Sequence, residues 1–404
     1  MANLEMHLKI ALALFIFHFY FTQGNPIQIS EAEGENEPEP DDEMESAFDL
    51  ILKANKGSHQ KLIEGDIAVK YSRSAIFCAA KACYWPQSSD GIVRVPYIIS
   101  SDFEQWHIDL IQEAMTEFKT LTCINFVERK EENDYLNIVP GHGYIFFSCS
   151  SFRGKIGGAQ TIFLSKTQCM WKGVVEHELE HALGLIHEHS RSDRDKYVKI
   201  MWQYISPNDR RNFELNLNSN NLGLEYDYAS IMHYGRRTLS NTSGEATIIP
   251  IPDDSIMIGQ FSGISNLDVA KINRLHNCSR CSSVLVASSG SLTSANYPSE
   301  YLNGVNCLWL IRIQRHNYRK HPFLLPIKQV QLRFEVFDLQ SSKGCTADYV
   351  KVYDGISKSD KVLLDKTCGT TVPPSVISSK STMLVEFVSD HRIAGIGFKA
   401  SYTT

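Results

Sequence analysis

The sequence predicts two folds in one chain, an α+β unit followed by an all-β sandwich. Three observations lead there. At 404 residues the chain exceeds one ordinary domain. Before the pair Cys278 and Cys281, apolar residues recur partly at helical and partly at strand spacing. After it, short alternating or wholly apolar runs are broken by Gly, Ser, Asn and Pro. The 10 cysteines all lie between Cys78 and Cys368, an even number that suits an oxidised framework of disulfides.

Residues 1–24 place Lys9 before an apolar run from Ile10 to Phe21 and end in Thr22-Gln23-Gly24, the pattern of a secretory signal peptide. The run falls short of the roughly 20 residues that span a membrane. The expectation is a secreted, extracellular product without a membrane span, with storage in secretory granules left open. Residues 29–50 carry ten carboxylates and no basic group, so they are expected to stay solvated rather than fold, as the start of an acidic prosegment over residues 25–73. Strands are expected at 93–99 and 161–164, with a helix over 102–117 and a longer one carrying the histidines of residues 177–187. Past Cys281, LWLIRI, KQVQLRFEVF, DYVKVYDG, STMLVEFVS and IGFKASY read as strands of a sandwich.

Net charge is −6, but residues 1–73 hold 13 acidic and 6 basic side chains, leaving 33 acidic against 34 basic in residues 74–404. The acidity belongs to the front of the chain and is read as a solvated segment rather than as a clue to partners; no nucleic-acid partner is expected.

The most specific chemical signal is HELEHALGLIH, from His177 to His187. Residues four apart share one face of a helix, so His177 and His181 can share one zinc ion. Glu178 sits beside them as a general base that takes a proton from the attacking water and passes it to the leaving amine. Gly184, lacking Cβ, can end the helix in a left-handed turn and bring His187 back as third ligand. Downstream lies Ser230-Ile231-Met232-His233-Tyr234.

The long histidine motif followed by a Met-containing turn resembles the metzincin clan of zinc endopeptidases, and HELEHALGLIHEHSRSDRD with SIMHY resembles the astacin family within it. The resemblance implies an α+β zinc protease domain over residues 74–278. It adds Tyr234 as a further zinc ligand that later donates to the oxyanion, Met232 as an apolar floor, and Glu188 as the partner of the new N-terminus after activation. Leu62-Ile63-Glu64-Gly65-Asp66 is similar to the prosegment motif whose aspartate, here Asp66, ligates zinc in the zymogen; Ile63 stands where an aromatic is usual. Arg73-Ser74 offers the cleavage point. The family binds substrate as an extended strand, on a rim that residues 144–153 would form or adjoin; Ser150 stands where Trp is frequent. Cys123–Cys278 and Cys149–Cys169 are the implied disulfides, and the additional Cys78–Cys83 pair resembles the hatching-enzyme branch.

Residues 281–404 resemble a CUB domain, through SGSLTSANYP, Asn306-Cys307-Leu308-Trp309, FEVFDL and Tyr353-Asp354-Gly355. Cys281–Cys307 and Cys345–Cys368 are implied. Many CUB domains bind calcium through one Glu and two Asp. Here the matching residues are Gln340, Asp348 and Asp390, so one carboxylate is a neutral amide and calcium binding is left open. Residues 314–327 form a basic, aromatic insertion between two strands. Asn241 and Asn277 open glycosylation sequons.

Together these features imply a secreted zinc endopeptidase acting on protein substrates, with egg-envelope glycoproteins at hatching as the leading class. Extracellular-matrix or developmental processing is the alternative, and an inactive adhesion protein working through a CUB-bound partner is the rival from another class.

Overall fold

The computed structural model describes residues 46–57, 60–69, 83–140, 148–313 and 328–404. The signal peptide, Arg73-Ser74, Cys78 and the 314–327 insertion lie outside the described residues. Contacts divide the chain into two compact units, one ending at Ser279 and the other running from Arg280 to Thr404.

The first unit begins with helix α1, Ala47–Asn55. This corrects the expectation that residues 29–50 stay solvated throughout. Ser46 caps the helix, its hydroxyl accepting from the Asp49 N–H at 3.0 Å while the Asp49 carboxylate accepts from the Ser46 N–H at 3.1 Å. Ala47, Phe48, Leu50, Ile51 and Ala54 fall at helical spacing and are all buried. Acidic composition decides the fate of a segment only where no apolar stripe interrupts it.

Seven strands follow in one sheet, ordered β1-β2-β6-β7-β5-β3-β4. They are β1 Leu62–Ile63, β2 Ile67–Ala68, β3 Val93–Ile99, β4 Ile124–Glu128, β5 Tyr135–Val139, β6 Cys149–Phe152 and β7 Ala159–Leu164. The central β7, β5, β3 and β4 run parallel and β6 antiparallel to β7. β2 adds itself parallel to β6, pairing Ile67 with Ser151 and Ala68 with Phe152, so residues 62–68 extend that side of the sheet. Helix α2, expected over 102–117, runs Gln105–Leu121. Ser100 and Asp102 bond to each other in a turn, which delays its start. Buried Phe118 and Leu121 carry its last turn into the core.

Helix α3, Lys172–Leu183, is buried from Gly173 to Leu183. A Cβ on Gly173 would collide with the Phe261 carbonyl oxygen, so only glycine permits that approach. A two-stranded sheet of β8, Val198–Ile200, and β9, Ile248–Pro250, and helix α4, Asn266–Leu275, complete the unit.

The second unit is a sandwich. One sheet has the order β10-β12-β17-β14-β15, from Cys281–Leu285, Asn306–Arg312, Thr382–Val388, Tyr349–Tyr353 and Val362–Thr367. The other, β11-β18-β13-β16, uses Ser289–Thr293, Gly397–Thr403, Gln331–Asp338 and Val376–Ile377. Trp309, Phe334, Phe387, Phe398 and Tyr402 fill the space between, with Trp309 edge-on to Phe398.

The structure joins Cys123–Cys278, Cys149–Cys169, Cys281–Cys307 and Cys345–Cys368. No helix among the described residues is long and apolar enough to cross a membrane.

Candidate metal and catalytic site

Helix α3 carries Glu176, His177, Glu178, Glu180 and His181, all with 0% exposure. So many buried polar groups in one helix require partners or a task. Gly184 ends the helix at φ 112°, and the chain that follows delivers His187 to the two helical histidines. Asp66, from the turn between β1 and β2, enters the same space. Its Oδ2 lies 2.8 Å from His177 Nε2, 3.4 Å from His181 Nε2 and 3.3 Å from His187 Nε2. His177 and His187 bring their Nε2 atoms within 3.3 Å of each other. Ligands about 2.0–2.1 Å from a tetrahedral zinc are about 3.3–3.4 Å apart; three of these separations match that spacing, all four donor atoms lie within 4.8 Å of one another, and three imidazoles with one carboxylate are a donor set that suits zinc.

The outer nitrogens are also fixed. Nδ1 of His177 faces the Ile231 carbonyl at 2.9 Å and Nδ1 of His181 faces the Leu185 carbonyl at 3.1 Å. That of His187 faces the Glu64 carboxylate at 2.8 Å. Donation from Nδ1 leaves the Nε2 lone pair for a metal; two of these supports are backbone carbonyls and the third is the carboxylate that precedes Asp66 by two residues. Burial opposes charge on both Asp66 and His187. Their mutual attraction overcomes it, holding the Asp66 carboxyl well below the usual range and raising His187 to about 9. His181 goes the other way, down to about 4, because burial prevails.

Neither oxygen of Glu178 has a hydrogen-bond partner. Burial, then the Asp66 charge, pushes its carboxyl well above the usual range. Tyr234, expected on the metal, turns its hydroxyl to another partner in this structure. Its hydroxyl donates to the Glu64 carbonyl at 2.6 Å, and Asp66 stands with the three histidines instead. Met232 is fully buried.

A family model for Astacin, a peptidase family, matches residues 80–277, and one for the CUB domain matches residues 281–402. The chain is 56% identical over 362 residues to an astacin-like metalloendopeptidase of Gallus gallus, covering 90% of this chain and 84% of that protein. It belongs to the astacin family. It is therefore a metalloendopeptidase with a C-terminal CUB domain. Embryonic protein UVS.2 of Xenopus laevis is 48% identical over 352 residues, covering 87% of this chain and 64% of its own length. The solved structure of high choriolytic enzyme 1, a hatching enzyme zinc-protease of Oryzias latipes, is 42% identical; it covers 51% of this chain and 100% of its own, with a TM-score of 0.47.

Other expected residues of this astacin-family chain show where the sequence reading ran out. Glu188 is 2% exposed, and its carboxylate is already engaged by Arg191 at 2.9 Å, Lys271 at 2.7 Å and the Asp227 N–H at 2.7 Å. It is not a surface residue, and the expected N-terminal partner at Ser74 lies outside the described residues. Burial opposes the charge on Lys271, but Glu188, Asp268 and Asp227 raise its pKa. Ser150, where Trp is frequent in the family, lies inside the first unit. It is fully buried, its hydroxyl donating to Gln60 at 2.9 Å. Asn241 and Asn277 are exposed.

The sequence reading missed Phe48. It is fully buried, stacked on Tyr234 at 3.8 Å between ring centroids and edge-on to His187 at 4.9 Å. Ile63, by contrast, is 49% exposed. The Ser46–Asp49 capping pair and the apolar spacing behind it were the available signal. Lys271 gave none, since a lysine in an amphipathic helix reads as surface.

Proposed function

We propose that this chain is the secreted precursor of a zinc endopeptidase that digests egg-envelope proteins at hatching, held latent by its prosegment. The convergence of Asp66 and the three histidines, with Glu178 alongside, carries the catalytic reading. His177, His181 and His187 would hold zinc, which when bound supplies Lewis acidity to the scissile carbonyl and the attacking water. Glu178 accepts the proton of that water and delivers it to the leaving amine, with no covalent enzyme intermediate; its buried, unpartnered carboxylate suits this task. Tyr234, once freed from Glu64, donates to the oxyanion.

Latency is supported by three contacts of residues 46–69 that substrate would have to displace. Asp66 takes a ligand position, Glu64 holds His187 and Tyr234, and β2 covers the edge of β6. Cleavage at Arg73-Ser74 would release them. An N-terminal signal peptide and a disulfide framework support secretion. The egg-envelope substrate is supported by the names of the choriolytic relatives. Developmental processing is the second reading, favoured by the embryonic Xenopus relative.

The test is digestion by the chain cut after Arg73 and loaded with zinc. It should cleave casein and dissolve isolated egg envelopes, and Glu178→Gln should lower kcat about 10²–10⁴-fold. Cleavage of casein with envelopes left intact would move the assignment to developmental processing. No cleavage of either would leave only a CUB-mediated adhesion role.

A further inference from the structure

The expected calcium position of the CUB domain lies within the described residues. Gln340 follows β13, Asp348 precedes β14 and Asp390 follows β17. Asp348 is fully buried and both its oxygens are taken. Oδ2 accepts from the Tyr301 hydroxyl, and Oδ1 accepts from the Asp390 N–H at 2.7 Å. The Tyr301 oxygen in turn accepts from the Gln340 N–H at 3.0 Å. Asp390 Oδ1 already accepts from the Arg392 N–H at 2.9 Å.

One end of the Gln340 amide faces Asp390 Oδ1 at 3.2 Å and the Ile393 carbonyl at 3.3 Å; because both are acceptors, that end is assigned as the nitrogen. An amide nitrogen carries two hydrogens, and two acceptors face it. Calcium needs six to eight oxygen ligands, and its affinity falls with each carboxylate removed. A donor nitrogen directed between Asp390 and Ile393 is the opposite of what such an ion requires. The donor set therefore does not fit calcium.

We infer that Gln340 stands in place of the ion. Its amide clasps Asp390 to the Ile393 carbonyl, so this end of the CUB domain stays closed without calcium. The one change that sets these residues apart from the calcium pattern, Glu to Gln, supplies both the loss of charge and the donor that replaces it.

Calcium titration of the full, zinc-loaded chain in chelator-free buffer tests this by calorimetry. The wild-type chain and Asp390→Asn should give the same heats, with no saturable binding that the substitution removes. Gln340→Glu should gain a site with a Kd of about 0.1–1 mM, the range of extracellular modules. Adding Asp390→Asn should abolish it. Hydrogen exchange supplies the second readout. Amides of residues 390–396 should exchange at the same rate in the wild type with and without about 5 mM calcium, about tenfold faster in Gln340→Ala, and no slower when calcium is added to that variant. Saturable wild-type binding lost in Asp390→Asn would overturn the inference, as would calcium rescue of Gln340→Ala. A folded Gln340→Glu chain that binds no calcium would also overturn it. If that variant does not fold, the wild-type and Asp390→Asn titrations decide alone.

Discussion

Asp66 and Glu188 are two buried carboxylates of the same astacin unit, 0% and 2% exposed, with opposite kinds of partner. Glu188 sits between Lys271 and Arg191, cations of the enzyme itself, and also takes the Asp227 N–H. Asp66 arrives on the segment proposed to be released by cleavage and meets imidazoles, which are neutral unless they take a proton. A carboxylate held by permanent charges is a strut. One held by groups that would equally accept a metal is a removable ligand. Stability should therefore follow Glu188 and its partners, whereas latency should follow Asp66.

The largest effect is expected at the strut. Lys271→Met removes the cation that Glu188 Oε2 bonds and that lies 3.4 Å from Asp268 Oδ1. Leaving buried carboxylates without that charge should cost about 3–5 kcal/mol. Denaturant unfolding should show this loss in the astacin transition, with the CUB transition unmoved. Equal stability of the variant and the parent would dissolve the distinction between the two carboxylates.

Asp66→Ala tests the other side. The uncleaved precursor should show at least about 100-fold more activity on casein, a shift of about 2.7 kcal/mol in the latent state, while the mature enzyme is unchanged. The result that would break the comparison is a precursor that stays silent although it is folded and metal-loaded.

The strap has a second hold, and its contribution should be smaller. Phe48→Ala removes a ring that packs on both Tyr234 and His187. Truncating a buried Phe costs about 3–5 kcal/mol in a core, but Asp66 remains in place. Precursor activity should accordingly rise only about tenfold, with faster exchange of the α1 amides. A rise matching that of Asp66→Ala would make Phe48 the primary lock.

This difference between strut and strap explains what the sequence could disclose. The histidine motif was legible because ligand spacing on a helix is a local property, as were the turn at Gly184 and the strands of the sandwich. Asp66 was legible only through its resemblance to a known prosegment. The Tyr234 hydroxyl bonded to Glu64, and Phe48 lying on the Tyr234 ring, join residues some 170 or more positions apart, which no periodicity encodes. Lys271 was hidden for a further reason. Its burial is enforced by Glu188, Asp227 and Asp268, residues that each read as surface when taken singly.

The smallest expected effect concerns a buried group with no charged partner at all. His276 is 5% exposed, and its Nε2 lies 3.1 Å from the carbonyl oxygen of Leu183, the last residue of α3. Burial lowers its pKa below the ordinary 6.5. The folded chain therefore prefers the neutral ring, and the unfolded chain takes up the proton first. The contribution of His276 is complete above about pH 6.5 and is lost as pH falls below it, by at most about 1.4 kcal/mol per pH unit. His276→Asn should cost about 1 kcal/mol at about pH 7.5 through the lost hydrogen bond. The gap between parent and variant should then narrow by about pH 5, because only the parent still has a ring to protonate on unfolding. Melting curves of both proteins across that range measure the gap directly, and a gap that stays constant would mean that the ring is protonated in the folded state as readily as in the unfolded one.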